Sequence, residues 1–334
     1  MANEIREMRS IGSLDRFHAH LADDLKRVDL EMRRVLASDV KLVDNVVRYL
    51  VRRKGKMLRP VLTLLTARLF GTVRQETVKI AIIVELLHTA TLVHDDVVDE
   101  SPQRRGFPSL NVIWKNKVSV LVGDYLLAKA LTEMLDLRDF DVLGVLSTTA
   151  RRMSRGELLQ IAKARKLDIT EKVYFDMIAD KTAALFSACC ELAAVTSGAD
   201  GEARRQLRLF GEKLGLAFQI RDDVLDFEGR RSLLGKPTLG DLKERKITLP
   251  LIYAMQQSRD GEGKRILKLI ERGVKSEHRR PVLEFLERHD GLGYARRCAE
   301  ALQVKAVKCL EFLPPTSEKE EVMAFAHYAV NRPK

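Results

Sequence analysis

The sequence predicts an all-α, single-domain protein of ten or more helices over residues 1–334. Apolar residues recur at helical steps of three and four, as in Leu21, Leu25, Val28 and Met32. Regular alternation over strand-length windows is scarce, and hairpin dipeptides of the Asn-Gly kind are absent. The 9 prolines lie mostly between the periodic tracts, as expected where helices end.

Each predicted element follows from its local pattern. The first periodic tract covers 21–35, and a second covers 46–51. Pro60 suits the first turn of a third helix. Two further helices run into the acidic clusters described below. We expect connections at 198–201, 227–241 and 258–264, and an amphipathic tail over 322–330.

Composition narrows the possible classes of protein. The 334 residues are 46% hydrophobic, which excludes a disordered chain, and only 19 Gly exclude a collagen-like one. Lys and Arg number 58 and Asp and Glu 47, so 58 − 47 gives a net charge of +11. This charge indicates an anionic partner: a nucleic acid, a membrane surface or a phosphorylated small molecule.

We expect a cytoplasmic protein without a membrane span. The most apolar stretch, Ile80–Val93, is short for a bilayer and is interrupted by Glu85 and His88. The N-terminal residues have no apolar core of the signal-peptide kind. The cysteines form no CxxC motif and predict free thiols; they are Cys189, Cys190, Cys298 and Cys309.

Two acidic clusters of the same pattern follow apolar helical runs. They are LVHDDVVDE, with Asp95, Asp96 and Asp99, and QIRDDVLDF, with Asp222, Asp223 and Asp226. On a helix, carboxylates at i and i+4 share a face with Cβ atoms about 5–6 Å apart. Such like charges destabilise a bare helix by about 0.2–0.5 kcal/mol, so we expect a compensating cation.

That cation is predicted to be magnesium. Carboxylate oxygens are hard ligands that suit Mg²⁺, whereas zinc prefers His or Cys. One such cluster could equally be a solvated helix end, but two copies, each followed by basic residues, favour a metal site.

Basic residues flank the first cluster on both sides. Lys56 and Arg59 precede it, and Arg104 and Arg105 follow it. Arg grips phosphate oxygens in pairs, and Lys supplies a point charge. A metal held by carboxylates and surrounded by Arg and Lys side chains suits a diphosphate. The sequence therefore predicts a diphosphate site and not a site for the DNA backbone.

The chain resembles the all-trans polyprenyl diphosphate synthases of the isoprenyl diphosphate synthase family, and within them the octaprenyl- or heptaprenyl-type long-chain branch. The resemblance runs in order over about residues 50–255. The matching stretches are GKMLRP (55–60), ELLHTATLVHDDVVDESPQRRG (85–106), VLVGDYLLAKA (120–130), RGELLQ (155–160), DKTAALF (180–186), and GLAFQIRDDVLDF through GKPTLGDLKERKITLPL (215–251).

The resemblance implies an isoprenoid-synthase bundle around a central cavity, a homodimer, and a role for each matching residue. Two or three Mg²⁺ ions would be held by Asp95, Asp99, Asp222 and Asp226. An allylic diphosphate would be held by Arg104, Lys181, Thr182, Gln219, Lys236 and Lys246. Isopentenyl diphosphate would be held by Lys56, Arg59, His88 and Arg105. The residues carrying catalysis would be Asp95, Asp99, Arg104, Lys181 and Asp222.

Three positions depart from the family pattern. Phe107 stands where a Lys usually follows RRG, Arg221 where an apolar residue usually precedes the second cluster, and Arg245 where a Gly is common. None of these changes removes an implied metal ligand. We therefore expect them to affect the conformation of the loops and the affinity for substrate, and not the reaction.

The implied reaction is a head-to-tail condensation that lengthens an allylic diphosphate by one unit. The helix that precedes Asp95 is expected to set the product length. The residues on the face that leads to Asp95 are Val84, Leu87, Ala90 and Thr91. Short-product synthases often carry bulky aromatic residues four or five places before the first Asp, where Thr91 and Ala90 stand here. With ~1.5 Å of rise per residue, 84–94 provide roughly 16 Å of wall, which predicts a product of roughly six to ten isoprene units.

Four alternatives remain open. The chain could make a shorter farnesyl or geranylgeranyl product, or be a silent partner subunit, although such subunits usually lack the acidic motifs. A terpene cyclase usually has a different second metal motif and more aromatic residues than the 6% here. No sequence motif supports a nucleic-acid-binding protein, so we expect that the chain binds no nucleic acid. A lipid-like product suggests a transient membrane-surface contact and use as a quinone side chain.

Overall fold

The computed structural model describes residues 14–53, 55–104, 106–228, 239–259 and 261–332. Over these residues it confirms the all-α class, with more than ten helices. The helices are α1 (Leu14–His20), α2 (Ala22–Leu36), α3 (Lys41–Arg52), α4 (Leu58–Arg68), α5 (Gln75–Val98), α6 (Leu110–Asp136), α7 (Phe140–Lys166), α8 (Glu171–Ile178), α9 (Ala184–Ser197), α10 (Gly201–Glu228), α11 (Gly240–Lys243), α12 (Leu249–Gln257), α13 (Glu262–Glu271), α14 (Arg279–Arg288), α15 (Gly291–Lys308) and α16 (Ser317–Asn331).

Short elements fill some of the connections. A π-helical turn (Ala179–Ala183) joins α8 to α9, and a 3₁₀ turn (Ser276–His278) precedes α14. Strands β1 (Gln103–Arg104) and β2 (Phe107–Pro108) pair antiparallel just after α5.

Local chemistry sets where several helices begin. The Asp139 carboxylate accepts from the backbone N–H of Asp141 at 2.8 Å and caps α7. Thr170 and Thr316 cap α8 and α16 in the same way. Pro250 occupies the first turn of α12, where its missing N–H costs no helical hydrogen bond. These caps satisfy backbone donors that a helix leaves unpaired at its N-terminus.

Helix α5 lies at the centre of the core and packs against α2, α4, α6 and α9. By length and composition alone it could span a membrane, with a mean hydropathy of 1.4 over its most apolar window. That window is 67% buried inside the protein, which is the environment of a core helix. The apolar tract is longer than the Ile80–Val93 stretch considered from the sequence, and the expectation of no membrane span stays a prediction.

Helices α5 and α10 both pack against α9, so the C-terminal ends that carry the two acidic clusters flank one space. Glycines permit the close packing near this space. A Cβ on Gly156 of α7 would lie 2.5 Å from the backbone nitrogen of Lys181, and a Cβ on Gly215 of α10 would lie 2.6 Å from Cα of Ala183. The π-helical turn is therefore clamped between α7 and α10.

Candidate active site

A cavity of about 1090 Å³ lies between α4, α5, α7, α9 and α10. Asp95 of α5 and Asp222 of α10 both line it, so the two acidic clusters share one hollow. Most of the residues singled out from the sequence also line it; they are Lys56, Arg59, His88, Thr91, Asp95, Arg104, Lys181, Thr182, Gln219 and Asp222.

Helical spacing explains how α5 presents its first aspartate. His88, Thr91, Asp95 and Val98 follow steps of three and four and line the cavity. Asp96 is one position further around the helix and only 4% exposed; its carboxylate accepts from Nε of Arg104 at 2.6 Å. The first acid of the pair thus faces the cavity, and the second anchors Arg104.

Asp99 ends α5 and lies against a distant lysine. Nζ of Lys246 is 2.9 Å from Oδ2 of Asp99 and 2.6 Å from Oε2 of Glu244. Burial alone would lower the pKa of Lys246, but the two carboxylates outweigh it and raise that pKa above its usual value. The lysine therefore stays charged beside the first cluster.

The second cluster repeats the arrangement of the first. Asp222 lines the cavity and forms an ion pair with Arg332, which follows α16. Asp223 is buried, and burial raises its pKa above its usual range. The carboxylate of Asp226 accepts from the backbone N–H groups of Gly240 at 3.1 Å and Asp241 at 3.2 Å, which fixes the start of α11.

The donor set suits a hard divalent cation, although it is not pre-assembled. Among the described ranges, no three His, Cys, Asp or Glu side chains lie together as a metal cluster. The four predicted ligands are all carboxylates, which is the chemistry Mg²⁺ prefers. Burial raises the pKa of Asp95 to about 6, partly opposed by the positive charge of Lys181. A bound cation would relieve that burial cost.

Cations converge on the cavity from other elements. Lys56 and Arg59 come from the start of α4, and the Lys56 carbonyl lies 3.3 Å from Nε2 of His18. Burial and the nearby charge of Arg332 lower the pKa of Lys56. Lys181 of the π-helical turn forms an ion pair with Glu157 of α7. These groups give the cavity a positive wall beside its carboxylates.

A second, smaller cavity of about 50 Å³ adjoins the first. Lys181 and Gln219 line both cavities and so form the wall between them. Lys246 lines only the smaller of the two. Arg105 and Lys236 lie outside the described residues.

The three departures from the family pattern have their own partners and do not line the main cavity. The guanidinium of Arg53 lies 4.1 Å from the ring centroid of Phe107. Arg221 donates to Glu228 at 3.1 Å, and Arg245 donates to the carbonyl of Glu271 at 2.8 Å.

The apolar part of the cavity wall differs from the set considered from the sequence. Thr91 lines the cavity, whereas Val84, Leu87 and Ala90 are buried in helix packing outside the lining. Sequence reasoning missed many of the apolar side chains in the wall, among them Met153, Leu158 and Ile161 of α7, Leu185 of α9, and Phe218 of α10. It also missed Glu157 and Arg332, and for Arg332 no local motif marks the position.

Comparison with known proteins identifies the family. The polyprenyl synthetase family model matches residues 40–285. The octaprenyl diphosphate synthase of Escherichia coli K12 is 38% identical over 320 residues, which cover 96% of this chain and 99% of that protein. The all-trans-nonaprenyl-diphosphate synthase of Rhodobacter capsulatus is 38% identical over 315 residues, or 94% of this chain and 96% of that one.

Solved structures agree with these relatives. A polyprenyl synthase from Caulobacter crescentus, complexed with calcium and isoprenyl diphosphate, has a TM-score of 0.91 at 36% identity and covers 96% of this chain and 98% of its own. A decaprenyl diphosphate synthase from Rhodobacter capsulatus has a TM-score of 0.90 at 38% identity, covering 96% and 99%. With both acidic clusters and the flanking cations around one cavity, the chain belongs to the polyprenyl synthetase family.

Proposed function

We propose that this chain is an all-trans long-chain polyprenyl diphosphate synthase. It condenses isopentenyl diphosphate head to tail with an allylic diphosphate such as farnesyl or geranylgeranyl diphosphate. The observation that carries the proposal is the shared cavity, with Asp95 and Asp222 from different helices and cations from three further elements around it. We propose that its product supplies the side chain of a quinone.

The cavity residues divide the work of binding. Lys56, Arg59 and His88 would hold isopentenyl diphosphate, and Arg104 with Lys181 would hold the allylic diphosphate. Two or three magnesium ions, held by Asp95, Asp99, Asp222 and Asp226, would supply charge neutralisation for the leaving diphosphate when bound. The buried walls would exclude water from the reacting carbon.

The proposed reaction has three stages. The allylic C–O bond breaks, and its electron pair leaves on the diphosphate. The double bond of isopentenyl diphosphate attacks the resulting carbon, and loss of a proton restores a double bond in the lengthened product. The released diphosphate is the acceptor we propose for that proton, so no side-chain base is assigned.

Product analysis tests this function. Purified protein is incubated with farnesyl diphosphate, isopentenyl diphosphate and Mg²⁺, and the dephosphorylated products are separated by chromatography. We expect polyprenols of long chain and, for Asp95→Ala, a loss of roughly 100-fold or more with the helical circular-dichroism signal intact. Near-normal turnover by Asp95→Ala would contradict the metal role, and products that stop at fifteen or twenty carbons would contradict the long-chain assignment.

We propose that the protein works as a homodimer. Helix α6 carries apolar side chains on its surface that other described elements leave exposed, among them Val112, Ile113, Leu121, Leu131 and Leu135. Several large apolar side chains exposed on one helix are typical of a subunit interface. Sedimentation velocity is the test: a monomer at micromolar concentration would contradict the proposal.

We also propose a cytoplasmic location with transient contact to a membrane surface. The four cysteines are free, which suits a reducing compartment. Leu158 and Val98 line the cavity yet are 68% and 56% exposed, so apolar side chains mark its opening. Co-sedimentation with anionic vesicles tests the contact, and Leu158→Glu should weaken it.

A further inference from the structure

The second aspartate of the α10 cluster has its own set of partners. Asp223 is 3% exposed and lies beside Tyr174 of α8, which is fully buried. The Tyr174 hydroxyl donates to Oδ2 of Asp223 at 2.6 Å. Nε2 of Gln219 donates to the other oxygen, Oδ1, at 2.8 Å.

These contacts fix the orientation of the Gln219 amide. Oδ1 of Asp223 accepts when the carboxyl group is ionised or carries its proton on Oδ2, and the NH₂ group of Gln219 faces it. The amide oxygen of Gln219 then points the other way and accepts from the Thr182 hydroxyl at 2.6 Å. A flipped amide would set its oxygen against the carboxylate.

The result is a chain of three hydrogen bonds that runs from the core to the cavity. It begins at Tyr174, which is outside the main cavity, and ends at Gln219 and Thr182, which line it. Because the Thr182 proton is donated to Gln219, the Thr182 hydroxyl presents lone pairs to the cavity.

We propose that Tyr174 and Asp223 are positioning residues, which hold Gln219 and Thr182 in a single orientation toward the reacting end of the allylic substrate. The inference rests on the proposed function, because it assigns Gln219 and Thr182 to the allylic site. It gives the second acid of the motif a task separate from metal binding. Neighbouring Asp222 faces the cavity, whereas Asp223 supports the wall from behind.

Tyr174→Phe tests the proposal, with Tyr294→Phe as the matched control. The Tyr294 hydroxyl also donates to a carboxylate at 2.6 Å, that of Glu171, away from the cavity. We expect Tyr174→Phe to lower kcat per folded molecule about tenfold with KM for isopentenyl diphosphate unchanged, and Tyr294→Phe to retain wild-type kcat. Equal kcat for the two variants would overturn the positioning role.

A double mutant tests the route of the effect. Gln219→Met cuts the chain between Asp223 and Thr182, so adding Tyr174→Phe should cost less than a further twofold in kcat. A further tenfold loss in that background would show that Tyr174 acts by another route, and would overturn the proposal.

A measurement on the protein without metal or substrate completes the test. In protein labelled with ¹⁵N-glutamine, the Gln219 side-chain amide signal is the one missing from Gln219→Met. It should shift in Tyr174→Phe and stay in place in Tyr294→Phe, and an unshifted signal in Tyr174→Phe would overturn the inference. A wild-type chain that makes no polyprenyl product refutes the proposed function instead, so the two failures are distinguishable.

Discussion

Arg332 and Asp222 form an ion pair across 110 residues of chain, at the rim of the cavity. The guanidinium also lies 3.8 Å from the ring centroid of Phe218, and its side chain is only 5% exposed. The segment after α16 thus closes against α10 and balances the charge of a proposed metal ligand.

Arg332→Met should tighten the binding of Mg²⁺ to the substrate-free protein. Methionine keeps an apolar contact with Phe218 but removes the cation that competes for Asp222. We expect roughly a three- to tenfold gain in affinity by titration calorimetry, the size of one modest ion pair. Arg297→Met, which breaks the exposed pair with Asp290 at 2.7 Å, is the control. Unchanged Mg²⁺ affinity in Arg332→Met would show that the pair does not oppose the metal.

Asp95→Asn should stabilise the metal-free protein near neutral pH. Burial raises the pKa of Asp95 from 3.8 to about 6, so its contribution favours folding below about pH 4 and is lost as the pH rises through 6. At pH 7.5 the variant should be more stable by on the order of 1–3 kcal/mol, and the gap should close near pH 4. Urea denaturation in the presence of a chelator measures it. If the difference in unfolding free energy between Asp95→Asn and wild type did not change with pH, packing and not ionisation would be its cause.

Gly156→Ala should destabilise the protein and lower its activity. The new Cβ would lie 2.5 Å from the backbone nitrogen of Lys181, so α7 or the π-helical turn must move. We expect a loss of about 1–3 kcal/mol in the free energy of unfolding. Gly144→Ala on the same helix meets nothing within 4 Å and should be stabilising by about 0.5–1 kcal/mol. Similar stability changes for the two variants would contradict the clamp.

Thr91→Phe should shorten the product more cleanly than Ala90→Phe. Thr91 lines the cavity, so a ring there would block the path of the growing chain. Ala90 is 2% exposed and outside the lining, so a ring there should cost about 1–3 kcal/mol of stability through overpacking. Chromatography of the products and thermal unfolding separate the two effects. A full-length product from Thr91→Phe would place the growing chain elsewhere.

The sequence predicted well that each acidic cluster ends a helix and that the first aspartates, Asp95 and Asp222, meet at one cavity. The shared face predicted for Asp95 and Asp99 stays a prediction, because Asp99 follows the last residue of α5, lies outside the lining and pairs with Lys246. The face of α5 that meets the cavity was harder to predict, because it depends on where α6 packs. Nε2 of His94 lies 3.3 Å from the carbonyl of Val120, and His94 also lines the cavity, so α6 borders the cavity-facing side of α5.

Contacts between distant parts of the chain could not be predicted from spacing. Lys246 is 147 residues from Asp99, and the residues around Arg332 carry no motif that points to Asp222. The burial of Asp96 and Asp223 has a partial signal, since a residue one step along a helix points about 100° away from its neighbour. Which acid of each pair faces the cavity depends on the facing helix.

The π-helical turn at Ala179–Ala183 also constrains how the gene can change. Removing one residue there would let an ordinary α-turn form and rotate α9 by about 100° relative to α8. Lys181 and Thr182 would then leave the cavity wall, although no other residue of the bundle had been substituted. Length variation among relatives should therefore accumulate in surface connections such as 198–201, and this five-residue stretch should align without gaps.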